Sequence, residues 1–231
     1  MMENLLTFAI GDVHGCFDKL QALLLACERV RVGRGARYVL VGDYIDRGSC
    51  SRAVIDLLMH RQRSGGSDFV CLRGNHEQML IDAAAGGRAN PALTGWLSNG
   101  GRSTLRSYGV SEPASMPESH LEWIRARPLT FSDSFRLYVH AGIRPGVALS
   151  DQAADDLLWI REPFLSSGAA SASFIVHGHT PTASGLPDLR NHRLNLDTGA
   201  CYGGVLTAAA FTDQTPQPVL FVNSLGAIWQ P

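Results

Sequence analysis

The 231-residue chain has no excess charge of either sign: 20 basic residues stand against 21 acidic ones, a formal net charge of −1. That balance removes the electrostatic argument for nucleic acid or an anionic membrane surface as a partner. No apolar run approaches the roughly 20 residues of a membrane span. The first residues lack the charged-then-apolar pattern of a secretory signal, so the expected location is cytoplasmic, with no membrane contact. The five cysteines, Cys16, Cys27, Cys50, Cys71 and Cys201, are odd in number, scattered and never spaced as CxxC. This argues against a thiolate zinc site and for small, reduced, buried residues; only Cys16 and Cys50, beside the motif loops described next, invite a redox-sensitive reading. No G-x-G-x-x-G follows the first strand candidate, which disfavours a nucleotide-binding oxidoreductase.

What the chain does have is one pattern, repeated. Tyr38-Val39-Leu40-Val41, a short apolar run of the kind that makes a buried strand, turns into Gly42-Asp43-Tyr44-Ile45-Asp46-Arg47-Gly48. Residues 5–10 run in the same way into Gly11-Asp12-Val13-His14-Gly15, and residues 69–72 into Arg73-Gly74-Asn75-His76-Glu77. Residues 136–139 run into His140-Ala141-Gly142, and residues 174–176 into His177-Gly178-His179-Thr180. Five strand candidates thus end in glycine with Asp, Asn or His. Open α/β sheets place their sites at the carboxyl ends of strands.

Between the motifs, Phe17, Leu20, Leu24 and Cys27 recur at helical spacing, and Val54, Ile55, Leu58 and Met59 mark a second helix with Ser49 or Ser51 to cap it. A third helix is expected from about His76 to Ala85, stopped by Gly86-Gly87. Strands and helices alternating with short loops argue for an α/β fold. Residues 88–130, punctuated by prolines around Trp96 and Trp123, read as a small helical insertion folded over one side of the site, with the tryptophans as packing. A further helix is expected over 151–160. Strands near 174–177, 193–197, 203–211 and 218–222 follow, the last two as a hairpin, and together they suggest a second sheet packed on the first. The 45% hydrophobic content supports a substantial core, and neither repeat nor linker divides the chain, so residues 1–231 are expected to form one domain.

The donors suit a pair of cations. Asp12 and His14 share a glycine-flanked loop and can bind one ion together. Asp43 has two oxygens with which to bridge two ions, and Asn75, His140 and His179 supply an amide oxygen and two imidazoles for the second. Mixed oxygen and nitrogen ligation favours Mn, Fe or Zn over Mg or Ca. Two cations about 3.5–4 Å apart are an established solution for displacement at phosphorus, because they acidify a water and neutralise phosphoryl oxygens. Arg47 and Arg73 can bind phosphate with their planar guanidinium groups or form structural ion pairs. His76, with Asp46 on one ring nitrogen, is either the general acid for the leaving alkoxide or a third imidazole ligand. His177 reads as support for the site or as a core histidine; His60, His120 and His192 lack motif context and read as surface.

Gly-Asp-Val-His-Gly, Gly-Asp-Tyr-Ile-Asp-Arg-Gly, Gly-Asn-His-Glu, His-Ala-Gly and Gly-His-Thr, in this order, resemble the calcineurin-like metallophosphoesterase superfamily. Asp46-Arg47-Gly48 and Gly74-Asn75-His76-Glu77 are similar to its bacterial and phage-type phosphoprotein (serine/threonine) phosphatases. The resemblance implies a two-sheet β-sandwich flanked by helices around two divalent metal ions, with manganese the first choice. Asp12, His14 and Asp43 would hold the first metal, and Asp43, Asn75, His140 and His179 the second. His76 with Asp46 would be the acid pair, and Arg47, Arg73 and Arg161 would bind phosphate. The implied activity is hydrolysis of phosphoserine or phosphothreonine in a phosphoprotein or phosphopeptide. A symmetrical bis(5'-nucleosyl)-tetraphosphatase is the nearest rival, and a non-catalytic phospho-ligand binding module a remote one. Residues at Asp46 and Glu77 follow the phosphatase pattern, and Thr180 and Pro181 follow His179 where many other superfamily members carry Gly-His-x-His.

Overall fold

The computed structural model describes residues 5–86, 90–168 and 173–231. Among these residues no helix is long and apolar enough to cross a membrane. The first strand, β1 (Leu5–Ile10), is followed by α1 (Phe17–Val30), β2 (Gly35–Leu40), α2 (Ser51–Gly65), β3 (Phe69–Cys71) and α3 (Asn75–Ala85). β1, β2 and β3 pair in parallel, as strand–helix–strand connections require. Alternation sets the faces of β1. Leu6, Phe8 and Ile10 pack with Leu20, Leu23 and Leu24 of α1 and Val54 and Leu58 of α2, while Ala9 faces the opposite way into a second cluster.

Three helices, α4 (Pro91–Trp96), α5 (Arg102–Tyr108) and α6 (Glu118–Arg125), fall within the expected helical segment. The second half then supplies β4 (Thr130–Ser132), β5 (Arg136–Val139), α7 (Ala154–Trp159), β6 (Phe174–His177), β7 (Asp188–Leu189), β8 (Arg193–Asn195), β9 (Thr207–Phe211), β10 (Leu220–Asn223) and β11 (Ile228–Trp229). The strands form a six-stranded sheet in the order β11-β10-β9-β1-β2-β3 and a five-stranded sheet in the order β4-β5-β6-β8-β7. Ala9, Val39 and Phe211 of the first meet Tyr138, Val176 and Leu194 of the second, so the core between them is that of a β-sandwich. Leu137, Val139 and Ile175 face outward onto Leu157 and Ile160 of α7 and its end. The architecture is a two-sheet α/β sandwich flanked by helices.

Four expectations need correction. The C-terminal strands do not all join the second sheet: the β9–β10 hairpin forms as expected, but β9 pairs antiparallel with β1. β1 is buried on both faces, and its free edge would leave unpaired N–H and C=O groups there without a partner. Neither Ser49 nor Ser51 caps α2; Cys50 holds that position, and the Ser51 hydroxyl turns inward to Thr104 Oγ1 at 3.1 Å. His120 is not a surface residue: it is buried on the inner side of α6, between the Tyr108 hydroxyl at 2.9 Å and Asp56 Oδ1 at 3.3 Å. The expected helix over 151–160 is shorter, Ala154–Trp159, and the expected stop at Gly87 lies outside the described residues.

Candidate metal centre

Every motif loop leaves the carboxyl end of a parallel strand, β1, β2 and β3 in one sheet and β5 and β6 in the other, and all five loops meet at one edge of the sandwich. The approach is close. Gly42 has φ +112°, and a Cβ there would lie 2.6 Å from Gly74 N; a Cβ on Gly74 would lie 2.1 Å from Asp43 Oδ1. Only glycine at both positions allows these loops to touch. The Asp43 carbonyl accepts hydrogen bonds from the backbone of Val13 and His14 at 3.0 and 2.8 Å, stitching the first two loops together. Among the described residues, the non-glycine residues with positive φ are His14, Asp43, Asp46, Arg47 and His179, all of them in these loops. Backbone strain of this kind concentrates at functional sites and is held there by surrounding structure.

Asp43 is the hub. Its Oδ2 lies 3.4 Å from His14 Nε2, and its Oδ1 lies 3.4 Å from His140 Nε2. His14, Asp43 and His76 form one cluster of donor atoms mutually within 4.8 Å, and Asp43, His140 and His179 form another. Asn75 Oδ1 sits between His140 Nε2 at 2.8 Å and His179 Nδ1 at 3.0 Å, so it belongs to the second cluster. Asp12 lies beside this pair, its carboxylate accepting the His179 backbone N–H at 3.1 and 3.2 Å.

The donor set fits two cations. His14 Nδ1 is 2.8 Å from the Ile45 carbonyl and His140 Nδ1 is 3.0 Å from the Val41 carbonyl. A carbonyl only accepts, so each ring carries its proton on Nδ1 and directs the Nε2 lone pair at Asp43, the tautomer of a metal-ligating imidazole. Burial holds His14 and His179 neutral, lowering each to about 3, and lowers His140 as well. Burial pushes the Asp12 carboxyl up, with Asp197 and then Asp43 adding repulsion. Burial would also raise Asp43, but the facing imidazoles of His140, His76 and His14 outweigh it and hold that carboxyl below the usual range. Neutral imidazoles and crowded carboxylates with few counter-charges are what a pair of divalent ions satisfies.

His76 points its other face at Asp46, with Nδ1 2.7 Å from Asp46 Oδ2. Burial lowers His76, but the charges of Asp43 and Asp46 and the Asp46 hydrogen bond more than compensate, so it sits above the usual histidine value. Asp46 is itself fully buried and fully engaged: Oδ1 accepts the Thr104 hydroxyl at 2.6 Å, and Oδ2 also accepts Trp96 Nε1–H at 2.9 Å. Trp96, expected to be packing alone, is therefore also a donor that fixes Asp46. The signal for this was not in Trp96 itself but in where the insertion lands. Trp123 is packing, with its Nε1 on Gln62 and Arg127 over its ring. Trp96→Phe keeps most of the ring and deletes the donor. The expected result is a loss of about 1.5–3 kcal/mol in a denaturant melt of the metal-loaded protein, the scale for a hydrogen bond to a charged group. A change under about 0.5 kcal/mol would show that the indole N–H contributes nothing there.

The arginines divide. Arg47 is exposed, donates to His14 Nε2 and lies over the Tyr202 ring, with its guanidinium carbon 5.4 Å from the centroid. Arg161, exposed beyond α7, bears electrostatically on His179 and Asp197. Arg73 is held by Gln78 Oε1 at 3.0 Å and by the Arg125 carbonyl, and makes no hydrogen bond to the metal donors. His177 is a core residue, its ring against Phe164 and its Nδ1 on the Gly178 carbonyl at 3.1 Å. The sequence reading missed the structural role of Glu77 and missed Asp197 altogether. Glu77 gathers the backbone N–H groups of Asp43, Tyr44 and Gly74 at 2.8–2.9 Å, which ties the second loop to the third. Asp197, 4% exposed, follows β8 in Leu196-Asp197-Thr198-Gly199, a sixth strand end of the same grammar.

Residues 6–205 match the calcineurin-like phosphoesterase family. The chain is 34% identical over 211 residues to serine/threonine-protein phosphatase 1 of Salmonella typhimurium, covering 87% of this chain and 90% of that protein. It is 32% identical over 139 residues to the symmetrical bis(5'-nucleosyl)-tetraphosphatase of Dechloromonas aromatica, covering 60% of this chain and 44% of that one. Its fold superposes on the crystal structure of a cold-active protein-tyrosine phosphatase from a psychrophilic Shewanella with a TM-score of 0.70 at 18% identity, covering 100% of this chain and 82% of the other. With the matched family spanning all five motif loops and the paired His/Asp clusters in place, the chain belongs to the calcineurin-like phosphoesterases, a family of dinuclear-metal hydrolases.

Proposed function

We propose that this protein is a metal-dependent phosphomonoesterase that hydrolyses phosphoserine and phosphothreonine in proteins. The observation that carries the reading is the His76–Asp46 pair, 2.7 Å apart and buried, with Asp46 further fixed by Thr104 and Trp96. A serine or threonine alkoxide is a poor leaving group that needs a proton as its bond to phosphorus breaks. Cleavage between phosphates of a dinucleotide releases a phosphate oxygen, which needs no such acid. A site that invests two further donors in orienting one carboxylate behind one imidazole suits the first reaction better.

Asp12, His14 and Asp43 would hold one metal ion and Asp43, Asn75, His140 and His179 the other; the mixed donors suit manganese, with iron or zinc also compatible. Bound there, the ions supply an activated water and neutralise phosphoryl charge. The protein's own part is to bind and orient. Arg47 and Arg161 stand at the rim to take phosphate oxygens, and Arg73 would join them on releasing Gln78. His76 Nε2–H, held in line by Asp46 on Nδ1, would give its proton to the leaving oxygen. The resemblance to a bacterial phosphatase supports a phosphoprotein partner in the cytoplasm. The relative from Salmonella typhimurium is consistent with this substrate class; the tetraphosphatase relative keeps dinucleoside tetraphosphate as the second reading.

The experiment is hydrolysis by metal-stripped protein with manganese restored, on p-nitrophenyl phosphate, a phosphoserine peptide and diadenosine tetraphosphate in parallel. Manganese-restored turnover with the phosphopeptide preferred by tenfold or more in kcat/KM is expected. Preference for the dinucleotide would move the protein to the second reading. Phosphopeptide binding without turnover would point to a binding module.

A further inference from the structure

The second motif loop carries two consecutive residues in the left-handed region, Asp46 at φ +70° and Arg47 at φ +65°. L-residues avoid that conformation, and a pair in succession persists only where neighbouring groups fix it. The groups that fix it come from outside the five loops. Asp46 N–H donates to Thr104 Oγ1 at 2.9 Å and to Ser51 Oγ at 3.2 Å. Arg47 N–H donates to the Gly100 carbonyl at 3.4 Å. A Cβ on Gly100 would lie 2.8 Å from Arg47 N and 3.0 Å from Arg47 Cγ. The turn between α4 and α5 therefore rests directly on the backbone and stem of the arginine.

The hydroxyls have a defined direction. Thr104 and Ser51 are both fully buried. Thr104 has one hydroxyl hydrogen, and it goes to Asp46 Oδ1 at 2.6 Å. The contact of 3.1 Å between Ser51 Oγ and Thr104 Oγ1 is then a donation from Ser51 to Thr104. The chain runs from Ser51 to Thr104 to Asp46 Oδ1, while Asp46 Oδ2 faces His76 Nδ1. Thr104 thus holds Asp46 twice, as acceptor for its backbone N–H and as donor to its carboxylate. Valine would fill the same space and do neither.

We infer that Thr104, backed by Ser51, is a positioning residue for both ends of the reaction. It aims the Asp46 carboxylate at His76, and by fixing the Asp46–Arg47 turn it keeps the Arg47 guanidinium where phosphate binds. The inference rests on the phosphomonoesterase reading, with His76 as the acid and Arg47 as a phosphate ligand. It makes the segment from Gly100 to Thr104 part of the catalytic scaffold and not only a cover over the site.

The test is kcat and KM of the manganese-loaded protein on a phosphoserine peptide and on p-nitrophenyl phosphate. The variants are Thr104→Val, Thr104→Ser, Ser51→Ala, His76→Asn and the double variant of His76→Asn with Thr104→Val. In Thr104→Val, kcat on the peptide should fall by about 10–100-fold, the scale for a misplaced catalytic group. Its kcat on p-nitrophenyl phosphate should stay within about threefold, while KM for both substrates rises by about threefold or more through Arg47. Thr104→Ser, which keeps the hydroxyl, should return within about threefold of wild type. In the His76→Asn background Thr104→Val should cost no further kcat on the peptide, because both changes act through one imidazole. Wild-type kcat and KM in Thr104→Val would overturn the inference. So would a full additional loss of kcat in the double variant, or a serine variant as impaired as valine. If Thr104→Val does not fold by circular dichroism, Ser51→Ala decides: peptide kcat should fall by about threefold or more, and an unchanged value would overturn the inference. A wild type that turns over neither substrate would instead overturn the phosphomonoesterase reading, so the two failures are separate.

Discussion

Asp43→Asn is expected to strip the protein of both metal ions and to lower metal-dependent phosphate hydrolysis by more than about 10³-fold. The reason is that one side chain serves both halves of the site. Oδ2 faces His14 Nε2 and Oδ1 faces His140 Nε2, each at 3.4 Å, while Oδ1 also accepts the His76 backbone N–H at 3.0 Å. Asparagine offers one oxygen. Its amide hydrogens must point at an imidazole lone pair or at a cation, and the charge that balances two dications falls by one. The fold should survive, because the contact of Gly42 with the Gly74 backbone and the Glu77 bonds to the loop backbone do not depend on the carboxylate. Metal content by elemental analysis is the direct readout, with circular dichroism to confirm folding. A variant that keeps two ions per chain and loses less than tenfold in kcat would contradict the bridging role.

How much of this could be read in advance depended on whether the chemistry was local. The donors at Asp12, His14, Asp43, Asn75, His140 and His179 stand in loops whose glycines and polar groups follow apolar strands directly, so each loop declared itself within a few residues. The first three strands and helices were legible for the same reason. The fate of residues 207–211 was not. A short, wholly buried strand of Thr, Ala and Phe has no polar face to orient it, and only the open edge of β1, two hundred residues away in sequence, decides where it pairs. Trp96 and Thr104 were opaque in a similar way: their bonds to Asp46 exist because α4 and α5 dock on the second loop, and no pattern within residues 91–108 encodes that contact. Glu77 was half legible. Standing at the third position of α3 it reaches back to Gly74 N–H, as a capping glutamate does. Its bonds to Asp43 and Tyr44, which hold the central loop, needed the tertiary structure to be seen.

His76→Asn carries the second large effect, and it discriminates between two roles for one ring. His76 Nε2 lies 4.0 Å from Asp43 Oδ2, within the first donor cluster, so position alone would allow it to be a ligand. Its Nδ1, however, is committed to Asp46 Oδ2, and the charges of Asp43 and Asp46 overcome the burial that would deprotonate it. A ligand must offer a lone pair; a ring held in its protonated form offers a hydrogen. For an acid of this kind, kcat on alkyl phosphates should fall by about 10²–10⁴-fold in the asparagine variant, with two manganese ions still bound. p-Nitrophenyl phosphate, whose leaving group is stable as an anion, should lose far less. The pH profile gives the sign. The acid is competent while protonated, so wild-type kcat on an alkyl phosphate should decline as pH rises through a value above the ordinary histidine range near 6.5. That alkaline decline should be missing from His76→Asn. Loss of one metal ion in the variant, or equal loss on both substrates, would make His76 a ligand and leave the leaving group without a protein acid.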